Sequence, residues 1–568
     1  MFKMTETIVE TKACTKCWAS FTITDKDVEF YDKISPIFAW KKYQIPSPTF
    51  CPDCRQQRRL TFRNERKLYK RTCDASGKSI ISIYSPDKTY KVYDQQAWRS
   101  DNWDPLSYGR DIDFGQSFFQ QFYALLQEVP RASLMIMNNE NCDYVNQNWF
   151  CKDCYLCFDN GYNEKCWYEN QVYYSQYIMD SIRIEKSQIL YDCLNVKDSY
   201  KLFYCQNCAN CSDSYFLKNC SNCNNCFACM NLVAQNYCIF NKQYTKEEYD
   251  QLLAKYDLSD CAVVASIKNE FAQFVLKFPH KNLLLSNTES SSWDYLSHCT
   301  WCQDSFAANN TEDSKHVFDI DDAMKNCMDI NNGAEADLMY EWTSVSWYKL
   351  LFDRFVGRSE NVMYCDSCLH VKDCFGCAGL HSNQQYCILN KQYTKEEYEE
   401  MVPKIITHMI TTSERWEFFD PKISPIGYNE TVAQEYFPLT KETAIQQWFK
   451  RSDYESPFPH VEKILKANEL PNIQKTNNDI LDRAIECEIT GKPFRITKSE
   501  LEFYRTHNLP LPRKHPDQRH LERMQFRNPR KLRDRTCVKC WIDMKTTYRP
   551  ESLEIIYCES CYNKEIYG

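Results

Sequence analysis

Four Cys-x2-Cys pairs stand near the two ends of this chain. Cys14-x2-Cys17 and Cys51-x2-Cys54 lie near the N-terminus, Cys537-x2-Cys540 and Cys558-x2-Cys561 near the C-terminus. Two such pairs supply four thiolates, the ligand set of a closed tetrahedral zinc site. With no coordination position left for water or substrate, such a site is structural rather than catalytic. The spacing predicts one Zn2+ at each end, about two per chain. The competing reading is a set of ordinary buried thiols.

The two ends are copies of one another. Residues 51–73 read CPDCRQQRRLTFRNERKLYKRTC and residues 515–537 read HPDQRHLERMQFRNPRKLRDRTC. In the C-terminal copy the partners of Cys14, Cys17, Cys51 and Cys54 are Cys487, Thr490, His515 and Gln518. In the N-terminal copy the partners of Cys537, Cys540, Cys558 and Cys561 are Cys73, Ser76, Asp94 and Ala97. Thr, Gln and Ala are poor ligands, so each end is expected to keep one live site of an ancestral two-site module.

Both copies keep an Arg-rich stripe. Residues 51–71 hold eight Lys or Arg against two acids, and residues 513–535 hold nine against three, while the whole chain carries −8. Two basic stripes are thus set into an acidic body. Arg55, Arg58, Arg59, Arg63, Arg66 and Lys67, with Arg519, Arg523, Arg527, Arg530, Lys531 and Arg533, are the candidate nucleic-acid contacts, since Arg suits bidentate bonding to phosphate. The bland reading is a solvated cationic face, or a dock for the protein's own acids. Residues 55–71 of the N-terminal stripe lack Pro and Gly and space Leu60, Phe62 and Leu68 as one continuous helix; Pro529 weakens the parallel in the other copy.

Elements must position these groups. A strand is expected over 20–24, a helix over DKDVEFYDKI, a capped helix from Thr497-x-x-Glu500, and a hairpin over 543–557. These end modules have treble-clef and zinc-ribbon character. Between them lies a second duplication: 142–249 repeats at about 293–398, as in YCIFNKQYTKEEY against YCILNKQYTKEEY. Within each half small residues recur every third position, as in Cys151/Cys154/Cys157 and Cys220/Cys223/Cys226, with short aromatic or β-branched strands and turns rich in Asn and Asp between them. This predicts a mainly β fold, a duplicated β-solenoid flanked by the two zinc modules. The expected divisions are 1–98 N-terminal zinc module, 99–135 helical connector, 136–250 first solenoid repeat, 251–290 helical connector, 291–400 second repeat, 401–480 connector and 481–568 C-terminal zinc module.

Twenty-three cysteines fall between Cys142 and Cys387. A metal store is the tempting reading, but equivalent positions exchange Cys for Ser or Trp, as in Cys154/Ser305, Cys193/Trp342 and Ser181/Cys327. Core fillers tolerate that and ligands do not. Cys220, Cys223, Cys226 and Cys229 are the closest-spaced exception. An odd total of 33 Cys, without an apolar leader, predicts a reducing cytoplasm. Asp101, Asp104, Asp111 and Asp113 form an acidic cluster that a metal-dependent phosphodiester enzyme would use, although Asp among Asn, Pro and Gly is also ordinary turn chemistry. No HExxH, P-loop, GxSxG or GxGxxG is present.

The segments CPDCRQQRRLTFRNERKLYKR, VYDQQAWRSDNWDPLSYGRDIDF, YCIFNKQYTKEEY and YCESCYNKEIYG make the chain resemble a family of cysteine-rich zinc-ribbon proteins of small-genome, candidate-phyla bacteria. The resemblance spans nearly the full length and implies a bacterial, cytoplasmic or cell-associated protein; it implies no activity. The resulting expectation is a non-enzymatic, zinc-stabilised protein that contacts nucleic acid, RNA or a ribonucleoprotein first, through its Arg-rich helices. The alternatives are a scaffold that binds proteins along the solenoid, with the basic helices docked internally, and the aspartate-based enzyme. No membrane span is expected, and oligomeric state stays open.

Overall fold

The computed structural model describes residues 6–344, 347–414, 416–457 and 463–568. The fold is mainly β, and its body is a β-solenoid in two halves. In the first half every third residue from Asn138 to Phe240 has a positive φ near +55°. Parallel pairing joins residues one coil apart, Gln176 to Gln188 to Tyr200 to Ser212. Each twelve-residue coil is therefore four triplets, each with one residue inward, one outward and one at a left-handed corner. Asn and Asp tolerate that corner conformation better than other side chains except Gly, which accounts for their density in the sequence. Larger corner residues gain by stacking: Phe150, Tyr162 and Tyr174 lie ring on ring at 5.0 and 4.8 Å.

The inward column holds Cys, Ser, Val, Ile and Leu. A polar inward residue plays a fixed part. Ser175 Oγ donates to the carbonyl two residues back, at 2.8 Å, and accepts from the backbone N–H of Ser187 one coil on, at 3.1 Å. Cys365 does the same, toward Met363 O at 3.5 Å and from Cys377 N at 3.2 Å. Cys220, Cys223, Cys226 and Cys229 each donate to the carbonyl two residues before them. A thiol and a hydroxyl are interchangeable there because both are small and both offer one donor and one acceptor. No disulfide forms among the described residues.

The second half keeps the coil but not the strict count. Pairs such as Glu360 with Lys372 preserve the twelve-residue step, whereas Thr311 with Met324 and Lys372 with Gln385 carry one residue more, and Asp337 with Tyr348 one fewer. The coil places Asp180 with Asp329 and Asp192 with Glu341.

The chain forms two compact units, each assembled from two stretches: residues 1–134 with 283–455, and residues 135–282 with 456–568. In the first, the N-terminal module packs on the second solenoid half. Outward residues Tyr340, Leu351, Met363, Phe375 and Ile388 meet Tyr31 and Ile34 of the helix Asp25–Ile34, Phe118, Phe122 and Leu125 of Phe118–Glu128, and Val402 and Ile406 of Lys395–Thr411. In the second, the C-terminal module packs on the first half, with Trp167, Met179, Tyr191 and Phe203 against Leu501, Phe503 and Tyr504 of the helix Lys498–Thr506. The capping boxes at Thr245, Thr394 and Thr497 are all formed.

Two local expectations are corrected. The N-terminal basic stripe is not one helix: the helix Pro52–Leu60 stops, and Tyr69–Thr72 is a strand. Asn64 takes the intervening backbone, accepting from Lys67 N at 3.0 Å and donating to Lys67 O at 2.8 Å, a local bond that competes with the helix. Nor is 543–557 a hairpin: Asp543–Thr546 pairs with Arg533–Thr536, and Ile555–Tyr557 lies parallel to Pro279–Lys281. No helix among the described residues is long and apolar enough to cross a membrane.

Candidate metal centres and docked basic helices

Four knuckles in the chain share one backbone. In each, the residue four after the first Cys donates to that Cys carbonyl: Trp18 to Cys14 at 2.9 Å, Gly77 to Cys73 at 2.9 Å, Gly491 to Cys487 at 2.9 Å and Trp541 to Cys537 at 3.0 Å. The φ values there are +63°, +69°, +67° and +62°. A hairpin closes around each: Ile8–Ala13 with Ser20–Thr24, Tyr69–Thr72 with Ser79–Ser82, Ala484–Glu486 with Pro493–Phe494, and Arg533–Thr536 with Asp543–Thr546. Each end therefore contains two knuckles, as the aligned copies imply.

Only one knuckle per end gathers ligands. The sulfur atoms of Cys14, Cys17, Cys51 and Cys54 all lie within 4.8 Å of one another, as do those of Cys537, Cys540, Cys558 and Cys561; among the described residues these are the groups of three or more potential ligands that meet this closely. Cys17 and Cys51 Sγ are 3.6 Å apart, and so are Cys540 and Cys558 Sγ. Four sulfurs at 2.3 Å from one tetrahedral ion would be separated by about 3.8 Å, so both clusters fit a thiolate-bound metal. Without an ion the thiols of each cluster ionise unequally: Cys14, Cys51 and Cys537 are drawn down, while burial and the neighbouring thiols push Cys17, Cys54, Cys558 and Cys561 up. Cys51 is drawn down to about 5, first by the Cys54 thiol that bonds to it. At Cys537 burial opposes ionisation, but the backbone N–H groups of Cys558, Cys540 and Lys539 outweigh it and bring the thiol to about 6. The helices Pro52–Leu60 and Glu559–Ile566 begin at the second CxxC pair of each cluster, so their free N–H groups face the thiolates.

The degenerate knuckles close without four thiols. Ser76 Oγ donates to Asp94 Oδ2 at 2.8 Å, while the backbone N–H groups of Ser76 and Asp94 point at Cys73 Sγ at 3.4 and 3.2 Å. In the other copy His515 Nδ1 accepts from Asp517 N at 3.2 Å and Gln518 donates to Glu522 at 3.0 Å.

The Arg-rich helices have turned inward. On Pro52–Leu60, Arg55 Nε meets Asp329 Oδ2 at 2.8 Å, Arg59 Nη1 meets Asp329 Oδ1 at 3.3 Å, and Arg58 spans Glu341 at 2.7 Å and Glu417 at 2.8 Å. Arg63 bonds to Glu65 and to the Ser344 hydroxyl. On Pro516–Gln525, Arg519 pairs with Asp180, and Arg523 bridges Asp180 at 2.8 Å and Asp192 at 3.2 Å. The same lock is built twice: two acids at left-handed corners of successive coils, Asp329 and Glu341 or Asp180 and Asp192, grip arginines one helical turn apart. Burial pushes Asp329 toward its neutral form, but Arg55 and Arg59 overcome it and hold the carboxyl below its usual range.

The twelve expected nucleic-acid contacts therefore divide. Arg55, Arg58, Arg59, Arg63, Arg519 and Arg523 are buried, with no face open to a phosphate. Past the helix ends, Lys67 and Lys531 are exposed and Arg66, Arg527, Arg530 and Arg533 are half-buried. The acids that take the arginines were missed in the sequence. A signal existed, since Asp192 and Glu341 sit at matching places in ILYDCLNV and LMYEWTSV. Three of the four aspartates of the acidic cluster serve turns and one ion pair: Asp104 accepts from Leu106 N, Asp113 from Gly115 N and Gln116 Nε2, and Asp111 pairs with Lys391 at 2.5 Å.

No protein-family model matches this chain, and no curated protein matches it.

The lock has a pH signature. Burial opposes ionisation of Asp192, but Lys268 and Arg523 bring it from the ordinary 3.8 to about 2. A depressed carboxyl contributes stability above its unfolded value and loses it as pH falls through the folded one. Asp192→Asn should thus cost about 1–2 kcal/mol near neutrality. The gap from wild type should close between about pH 4 and pH 2, as read from urea midpoints at each pH. A gap that persists undiminished at pH 2 would refute the assignment.

Proposed function

We propose that the chain is a non-enzymatic binding protein whose end modules are fastened by structural zinc and which holds nucleic acid, RNA or a ribonucleoprotein first, on cations that its docked helices leave at the surface. The division of the two basic stripes supports this. The helical arginines are committed to solenoid carboxylates, so the outward charge lies on the segments that follow. Across Phe526–Arg549 stand eight Lys or Arg against two acids. Lys531, Lys539, Lys545 and Arg549 are exposed there, and the Arg535 guanidinium donates to a carbonyl and a hydroxyl, at 3.0 Å each. Such a patch suits phosphate contacts, which carry affinity without sequence information.

Zinc is favoured because four thiolates in a closed tetrahedral cluster match its structural sites; iron is the other metal such a set selects. Thirty-three cysteines with no disulfide among them suit a reducing cytoplasm.

The test is fluorescence anisotropy with a labelled single-stranded RNA across a salt series. Binding should weaken steeply, with a log–log slope near −0.7 for each phosphate contacted. Lys531→Glu with Arg533→Glu should weaken it about ten-fold or more while leaving the folding midpoint near wild type. Absence of binding at low salt would remove the nucleic-acid reading. The protein scaffold would then be favoured, because the internally docked arginines are what that reading requires.

A further inference from the structure

The four knuckles form an internal comparison. At the position with φ near +65°, the two degenerate knuckles carry Gly77 and Gly491, the residue that conformation favours. The two knuckles that gather four cysteines carry Trp18 and Trp541 instead. The fold gains little from either ring: Trp18 is 79% exposed and Trp541 77%. Among the described residues neither indole has a hydrogen-bond partner or a ring neighbour. Among the four knuckles a large aromatic side chain thus occurs twice where both the backbone and the solvent disfavour it, each time beside a four-cysteine cluster; Trp40 and Trp448 are likewise exposed at positive φ, outside the knuckles.

The surroundings of the two rings differ. Thr15, Ala19 and Ser20 flank Trp18, whereas Val538 and Ile542 flank Trp541. What the sites share is one flat indole rather than an apolar surface. A lipid bilayer or a protein groove would reward apolar area; a single planar ring suits a planar ligand. The C-terminal ring also stands within the cation-rich span Phe526–Arg549, so its ligand is expected to be anionic as well as planar.

We propose that Trp18 and Trp541 are stacking platforms for unstacked bases of single-stranded nucleic acid, one on each metal-bearing knuckle. This rests on the nucleic-acid reading above and locates its base contacts. Base–aromatic stacking tolerates any sequence and adds to phosphate contacts, so the partner class is single-stranded RNA or DNA without strong sequence preference.

The test uses the full-length, metal-loaded chain and a labelled oligouridine of about 20 nucleotides, long enough to span one such site. The double variant Trp18→Gly/Trp541→Gly should bind it about ten-fold or more weakly. Its affinity for inorganic polyphosphate should be unchanged, and its thermal midpoint should be equal or higher, since Gly relieves the backbone. Trp18→Phe/Trp541→Phe should restore most of the binding. Equal oligouridine affinity in wild type and the Gly variant would overturn the platforms while leaving the phosphate-binding reading intact. Binding to anionic phospholipid vesicles that depends on the two Trp, with oligouridine binding unaffected, would overturn them in favour of a membrane surface. Failure of wild type to bind oligouridine at low salt would remove both proposals.

Discussion

Stripping the metal from the full-length chain is expected to open both end modules while the solenoid keeps its strand signal. The knuckle around Cys14 has a small core, in which Phe21, Ile23 and half-buried Phe50 pack on the cysteines themselves. Without an ion, four thiols within 4.8 Å of one another have nothing to hold them together. Metal binding in small thiolate modules is itself folding free energy, on the order of 10 kcal/mol, so its loss should exceed the stability of the knuckle hairpins. Amide exchange after chelation should rise sharply across Ile8–Thr24 and Arg533–Tyr557. The strands Gln188–Tyr191 and Glu360–Met363, held by ladder bonds and inward side chains, should remain protected. Elemental analysis should give about two metal ions per chain, and Cys17→Ser or Cys540→Ser should each remove one. Knuckle amides that stay protected in a metal-free protein would refute the fastener role.

The second large effect is expected at the buried locks. Asp329→Ala would leave Arg55 and Arg59 buried without their main counter-charge, and Asp180→Ala would do the same to Arg519 and Arg523. Breaking one partner of a buried pair typically costs about 3–5 kcal/mol. The cost arises less from the lost attraction than from the charge left unpaired. Replacing Asp329, Arg55 and Arg59 together with apolar residues of similar size should recover much of the loss. Denaturant midpoints for the single and combined variants test this. A loss below about 1 kcal/mol in Asp329→Ala would mean that the arginines are solvated in solution rather than docked. These locks also explain why both stripes are kept although each module has lost a different metal site. The helix must present arginines one turn apart to acids one coil apart, and that requirement is the same at both ends.

Local features were legible in the sequence. The Cys pairs, the inward triplets, the capping box at Thr497 and the helix Asp25–Ile34 follow from spacing and side-chain chemistry within a few residues. The Asn- and Asp-rich corners were equally visible, because a left-handed residue selects its own side chain. Exchange of Cys with Ser at inward positions pointed to packing, and the paired donor and acceptor roles of Ser175 and Cys365 give the reason. Errors arose where a local bond or a distant strand prevailed over periodicity. Asn64 ended a helix that the apolar spacing would have continued, and Pro279–Lys281 took the partner that a hairpin would have supplied.

By itself the sequence determined the repeat, the metal-ligand sets and the existence of two basic stripes, since each is written in residues close along the chain. The tertiary structure alone decided what the stripes do. A run of arginines has the same composition whether it faces phosphate or carboxylate. The outcome depends on Asp329 and Glu341, more than 250 residues from Arg55, and on Asp180 and Asp192, more than 300 residues from Arg519, and on the solenoid bringing those acids one coil apart. Charge pattern is local, whereas desolvation and pairing are set by what folds against it, so only the assembled units show which cations remain for a partner.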